Sequence, residues 1–132
     1  MSHITVVPQP SEEKQYRLVI IESPYAGDVQ RNEAYARAAL KDCLLRGEAP
    51  LASHLLYTQP GVIDDNIPEE RVLGIDAGLA WGAVADATVV YTDFGISAGM
   101  AYGIERAKRE GSAGLAPSSR SVAFSRMSCH SR

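Results

Sequence analysis

A three-layer α/β domain of the Rossmann-like or flavodoxin-like kind, a parallel sheet of four or five strands flanked by helices, is the fold class that the sequence predicts. Three observations lead there. Short apolar runs such as Arg17 to Ile21 and Ala87 to Tyr91 have the length and β-branched content of strands covered on both faces. Segments with helical spacing and cap residues alternate with those runs, which implies parallel strands joined by right-handed crossovers. At 132 residues and 45% hydrophobic composition, the chain can bury one core but is too short for two ordinary domains.

Residues 1–15 read as a loose leader, polar and without a period, and the domain is expected over 16–111. The first strand, Arg17 to Ile21, ends at Ser23-Pro24-Tyr25-Ala26-Gly27, which is turn chemistry. Asp28 then caps a helix of about five turns that carries Val29, Ala36, Ala39, Leu40, Cys43 and Leu44 on one face and stops at Gly47. A second strand is expected over Leu51 to Leu56, with His54 at its end, followed by a loop from Pro60 to Asn66. Pro68 suits the first turn of the next helix, with Glu69 and Glu70 near its positive end. Val72, Leu79, Ala80 and Ala83 share one face of that helix, and Asp76 falls on the same face. Ala87 to Tyr91 is the third strand, and Ser97 caps a helix that runs to about Glu110 before Gly111. Residues 112–132 form a tail in which Ser121 to Met127 is the candidate for a further strand. The expected sheet order is 2-1-3, with the first strand central.

Composition narrows the function classes. A net charge of -3 gives no chain-wide basic field, so a nucleic-acid polymer is not an expected partner. Cys43 and Cys129 form no CxxC and no His/Cys cluster, so neither a structural metal nor a cofactor is expected, and a reducing, cytoplasmic setting is the plain reading. No apolar stretch approaches the roughly 20 residues of a membrane span.

In open parallel sheets ligands bind outside the carboxyl ends of the strands. Three segments are expected to meet there: Ser23 to Gly27, His54, and Asp93 to Gly99. Ser23, Tyr25 and Gly27 offer a hydroxyl, a ring and a close backbone approach before a helix N-terminus, where an anion is favoured; an ordinary β-to-α turn is the alternative. Gly95, Ile96, Ser97, Gly99 and Met100 form a second such loop. Gly95 to Gly99 also fits the spacing of a hydrolase nucleophile elbow, but the acid and histidine that must follow would have to come from Glu105, Glu110 and His130. Ser97 is therefore read as a helix cap and anion ligand. Asp76, a carboxylate on an otherwise apolar face, is expected to point toward the pocket, because an unpaired buried carboxylate is costly. His54 is either a ligand contact or a satisfied structural histidine, and Trp81 and Tyr91 are read as packing residues.

These motifs resemble the nucleoside 2-deoxyribosyltransferase-like superfamily, which includes deoxynucleoside 5'-monophosphate N-hydrolases. Leu79-Ala80-Trp81, Ala85-Asp86 and the stretch from Ser97 to Ala107 are similar to the hydrolase pattern. Ser23-Pro24-Tyr25-Ala26-Gly27-Asp28, His54-Leu55-Leu56-Tyr57 and Gly95-Ile96-Ser97-Ala98-Gly99-Met100 are similar to small, often phage-encoded members. The resemblance covers about Arg17 to Gly111. It implies a pocket for a nucleotide or nucleoside derivative, a homo-oligomer, and Asp93 and Asp76 as groups that orient the sugar. One departure bears on chemistry. The acidic residue that attacks the anomeric carbon in those enzymes is matched here by Gly103, and Glu105 stands where they have glycine. Two residues along a helix is about 200° of rotation, so Glu105 does not simply replace it.

Two functions follow as expectations. One is a nucleotide-binding protein with weak or absent turnover, which in a phage would sequester a nucleotide immune signal. The other is an N-glycosidic bond hydrolase or 2-deoxyribosyltransferase acting on nucleosides or their monophosphates, with Asp93, Glu105 and Asp76 as the catalytic candidates.

Overall fold

Residues 15–110, 117–122 and 124 are described by a computed structural model. Their elements are β1 (Arg17–Glu22), α1 (Val29–Leu45), β2 (Glu48–Leu51), α2 (Ser53–Leu56), α3 (Pro68–Ala80) with a 3-10 turn at Trp81–Ala83, β3 (Ala87–Tyr91), α4 (Ala98–Glu110) and β4 (Ser118–Arg120). All strand pairs are parallel and the sheet order is β2-β1-β3-β4. The expected α/β class and the central place of the first strand are therefore what the chain adopts.

Side chains alternate across a strand, and that parity divides the core. On one face Val19, Ile21, Val89 and Tyr91 meet Tyr35, Ala39 and Cys43 of α1, all at most 1% exposed. Ile20 and Val90 share the other parity, and Met100 and Gly103 are the buried residues of α4. Both faces of the sheet are thus covered, which is why the strands read as unbroken apolar runs. The expected caps form: Asp28 Oδ1 accepts from Arg31 N–H at 3.1 Å, and Ser97 Oγ accepts from Met100 N–H at 3.2 Å. Tyr35, Phe94 and Phe124 pack edge to face, with ring centroids 4.8 to 5.7 Å apart, at one border of the α1 layer.

Three expectations are corrected. The second strand comes earlier, Glu48–Leu51, and Ser53–Leu56, with His54, is a helical turn. Pro50 sits in that strand because β2 is at the sheet edge, where a missing N–H is tolerated. The further strand is Ser118–Arg120, ahead of the expected Ser121 to Met127; Ser121 and Val122 follow it outside any strand, and 123 and 125–127 lie outside the described residues, as does the leader through residue 14. The third correction concerns α3, which does not pack through Val72. Val72 is 56% exposed and Leu73 64%, whereas Gly78 is buried. Glycines four residues apart, Gly74 and Gly78, let the helix approach closely: a Cβ at Gly74 would meet the Ile63 side chain at 2.5 Å, and one at Gly78 would meet Ser53 Cβ at 2.5 Å.

No described helix is long and apolar enough to cross a membrane.

Candidate functional site

At the carboxyl ends of β1 and β2 the chain encloses a cavity of about 180 Å³. One water needs roughly 10–15 Å³ by the same measure, so the space is the size of a small molecule. Glu22, Ser23 and Tyr25 reach it from β1 and its turn, His54 and Tyr57 from α2 and its end, Arg71, Ile75 and Leu79 from α3, and Ser97, Gly99, Met100 and Gly103 from α4 and its cap. The edge of a parallel sheet, where chain segments diverge on either side of a central strand, is where such a cavity is expected.

Its polar groups fall into two clusters. At the first turn of α4, Ser97 supplies a hydroxyl, and the Ala98 and Gly99 N–H groups have no partner one helical turn back. Arg71 lies against that turn, its Nη2 at 3.7 Å from where a Cβ of Gly99 would stand, which is ordinary contact distance and sets the guanidinium beside the helix N-terminus. Arg71 is also 3.8 Å from Asp65, an ion pair loose enough to leave donors available. A guanidinium beside a helix N-terminus is an anion-binding arrangement.

The second cluster lies at the end of β1. His54 Nε2 and Ser23 Oγ are 2.6 Å apart, and Ser23 is buried. Burial pushes the His54 pKa down to about 4, so its imidazole is neutral at pH 7. Glu22 faces the same cavity, and burial pushes its carboxyl up to about 8. No hydrogen bond or ion pair to a described residue compensates that burial. Glu22 has the parity of Ile20, which turns it toward α4 and Gly103.

The expected site residues separate on this geometry. Ser23, Tyr25, His54, Ser97, Gly99 and Met100 line the cavity together; Gly27, Gly95 and Ile96 do not line it, although Gly27 and Gly95 take positive φ angles, 101° and 80°, that shape its two loops. None of the three expected carboxylates lines it either. Asp76 is turned outward, its side chain 60% exposed and 3.9 Å from Arg106, because α3 packs through Gly74 and Gly78 and Asp76 lies two residues from each. Glu105 is exposed on α4. Asp93 keeps the parity of Val89 and Tyr91 and so falls on the α1 side. There it accepts from Tyr35 Oη–H at 2.6 Å, from Ser121 Oγ–H at 2.5 Å and from Val122 N–H at 2.9 Å. Burial alone would raise the Asp93 pKa, but these bonds outweigh it and hold the group ionised below the usual range. Trp81, read as packing, is 48% exposed and donates its indole N–H to Tyr57 Oη at 3.1 Å.

Glu22 and Arg71 are the functional candidates that the sequence reading missed. Strand parity extended one residue past Ile21 would have found the first. Placement of the second needs α3 and α4 in contact, which no local pattern encodes.

Fold and cavity together define a parallel α/β domain with a cavity at the carboxyl edge of its sheet. Residues 17–114 match the family described as Domain of unknown function (DUF7768), and the chain belongs to that family. No curated protein and no solved structure matches the chain.

Proposed function

We propose that this chain binds a nucleotide or nucleoside derivative in the edge cavity, with the ligand's anionic group between Arg71 and the first turn of α4. One observation carries the reading: a guanidinium and a capped helix N-terminus share one end of a cavity whose remaining wall is largely apolar and aromatic, from Tyr25, Tyr57, Ile63, Ile75 and Leu79. A phosphate satisfies the polar end, and a base or sugar covers the rest.

Calorimetry with a deoxynucleoside 5'-monophosphate tests it. Arg71→Gln is expected to weaken binding about tenfold to a hundredfold, the worth of a hydrogen bond to a charged partner, and Ser97→Ala less. Equal affinity in both variants, or the same affinity for the nucleoside without its phosphate, contradicts the placement.

A second reading, cleavage of the ligand's N-glycosidic bond, is favoured by one further observation. A carboxyl group lines the cavity in Glu22, although Gly103 bears none.

A further inference from the structure

Within α4, position 103 is glycine, although a glycine inside a helix costs about 1 kcal/mol relative to alanine. What the missing side chain leaves room for is the end of Glu22. A Cβ on residue 103 would stand 2.6 Å from Glu22 Cδ and 2.9 Å from its Oε1, and would collide with Oε2. The carboxyl that the helix lacks at this point of the wall is thus supplied by the neighbouring strand.

Where the oxygens of a carboxyl are packed away they have partners, because leaving them without is costly, and every buried side-chain oxygen among the described residues has one. Glu22, half-buried and without a partner among the described residues, therefore keeps its oxygens open to the cavity. The ionisable side chains around it are all engaged with one another or stand elsewhere on the cavity. From α4, Arg106 is held by Glu110 at 2.9 Å and lies 3.9 Å from Asp76 of α3. From α2, His54 is paired with Ser23, and Arg71 of α3 leans on Asp65 and the α4 turn. Tyr25 and Tyr57 complete the ring of titratable groups on the cavity. No cation among the described residues neutralises Glu22, and its carboxyl, pushed up to about 8 by burial, holds a proton at neutral pH and faces the space a ligand would fill.

We propose that Glu22 is the proton donor of this cavity for cleavage of an N-glycosidic bond, delivering its proton to the leaving nitrogen from a position that Gly103 keeps open. The inference rests on the second reading above. As the bond between the anomeric carbon and nitrogen breaks, its electron pair stays with nitrogen, which takes the Glu22 proton. Water adds to the anomeric carbon and passes a proton to the carboxylate that Glu22 has become, which restores the starting state. The products are a free base and a sugar hydroxyl. A carboxyl titrating near 8 is in its acid form at neutral pH and remains acidic enough to donate.

The test is release of free base from a deoxynucleoside 5'-monophosphate by the full chain, with affinity measured on the same samples by calorimetry. The expected result is measurable release that declines as pH rises through about 8, and a Glu22→Gln variant whose kcat falls about 100-fold or more while its Kd stays within a few-fold. Gly103→Ala, which pushes the carboxyl aside, should lower kcat with Kd preserved. Release by Glu22→Gln at the parent's rate overturns the proposal and leaves the nucleotide pocket standing. Binding without release by the parent overturns both the proposal and the cleavage reading, and absence of binding overturns the pocket reading as well. Should Glu22→Gln fail to fold, carbon-13 titration of the glutamate carboxyls in the unaltered protein decides: a carboxyl titrating near 8 supports the assignment, and none above 6 overturns it.

Discussion

Burial acts in opposite directions on Glu22 and His54, two titratable side chains that line the cavity. For Glu22 the folded pKa, about 8, lies above the ordinary 4.5, so the folded state binds the extra proton and stability is lost as pH rises from 4.5 through 8. His54, lowered from 6.5 to about 4, is held neutral, so stability is lost as pH falls from 6.5 toward 4. Between 4.5 and 6.5 the two slopes oppose each other, and from 6.5 to 8 Glu22 acts alone. The expected outcome is a melting temperature that changes little across the lower window and declines across the upper one. Glu22→Gln should remove most of that decline, with a gain at pH 8 on the order of a few kcal/mol after allowance for the solvent the side chain still sees. Thermal denaturation at half-unit pH steps checks this; an equal slope in both proteins contradicts it. At this scale the sequence was readable wherever a residue acts on its own backbone. Asp28 and Ser97 cap their helices as their positions before a periodic run require. Asp93 was read as a pocket group from its place after the third strand, yet its parity with Tyr91 was available in the same five residues and points it to the α1 side.

Among the elements, α3 departs furthest from its sequence pattern. Its apolar positions suggested a face centred on Val72 and Leu79, whereas contact is made through Gly74 and Gly78, a spacing that also lies on one side of a helix. Gly78→Ala forces a methyl against Ser53 Cβ, part of the short helix that carries His54, so the shift cannot be absorbed by a side-chain tip. A destabilisation of about 1–3 kcal/mol is expected in urea denaturation, with weaker ligand binding because His54 moves with α2. Gly82→Ala, where nothing stands within 4 Å of the new methyl, should change stability by about 0.5 kcal/mol or less and serves as the control. Equal effects at the two positions contradict close packing at Gly78. The second strand was misplaced for a related reason. Pro50 suggests a break when the chain is read locally, and only the knowledge that β2 lies at an edge makes it compatible with pairing to Val19.

At the scale of the whole molecule, one long-range tie lies in no window of sequence. Arg120, in β4, donates through both Nη atoms to the two carboxylate oxygens of Glu48, in β2, at 2.6 and 2.7 Å; Glu48 is 6% exposed. Asp42, Cys43 and Tyr91 continue the same network, with Tyr91 Oη–H donating to Asp42 at 2.6 Å. Both partners of the ion pair are hydrogen-bonded, so removing one is costly because the other stays buried and charged. Arg120→Ala is expected to lose about 3–5 kcal/mol, read from the urea midpoint, and Arg120→Lys part of that, since an ammonium lacks the planar fork whose two nitrogens each meet one oxygen. A loss below about 1 kcal/mol contradicts the burial of the pair. The order of the first three strands was legible because helices joining apolar runs allow few topologies, but the place of β4 depends on this pair and on Asp93 holding Ser121 and Val122. The pairing also has a bearing on how the chain reaches its native state. While residues near 120 are still to be made or still undocked, the β2 carboxylate has only the half-exposed Arg17, 3.7 Å away, as counter-ion, and settling the first three strands against α1 would bury that charge without the fork that satisfies both its oxygens. Partial assembly is therefore disfavoured, and the sheet gains its last strand and its mature core in the same cooperative event.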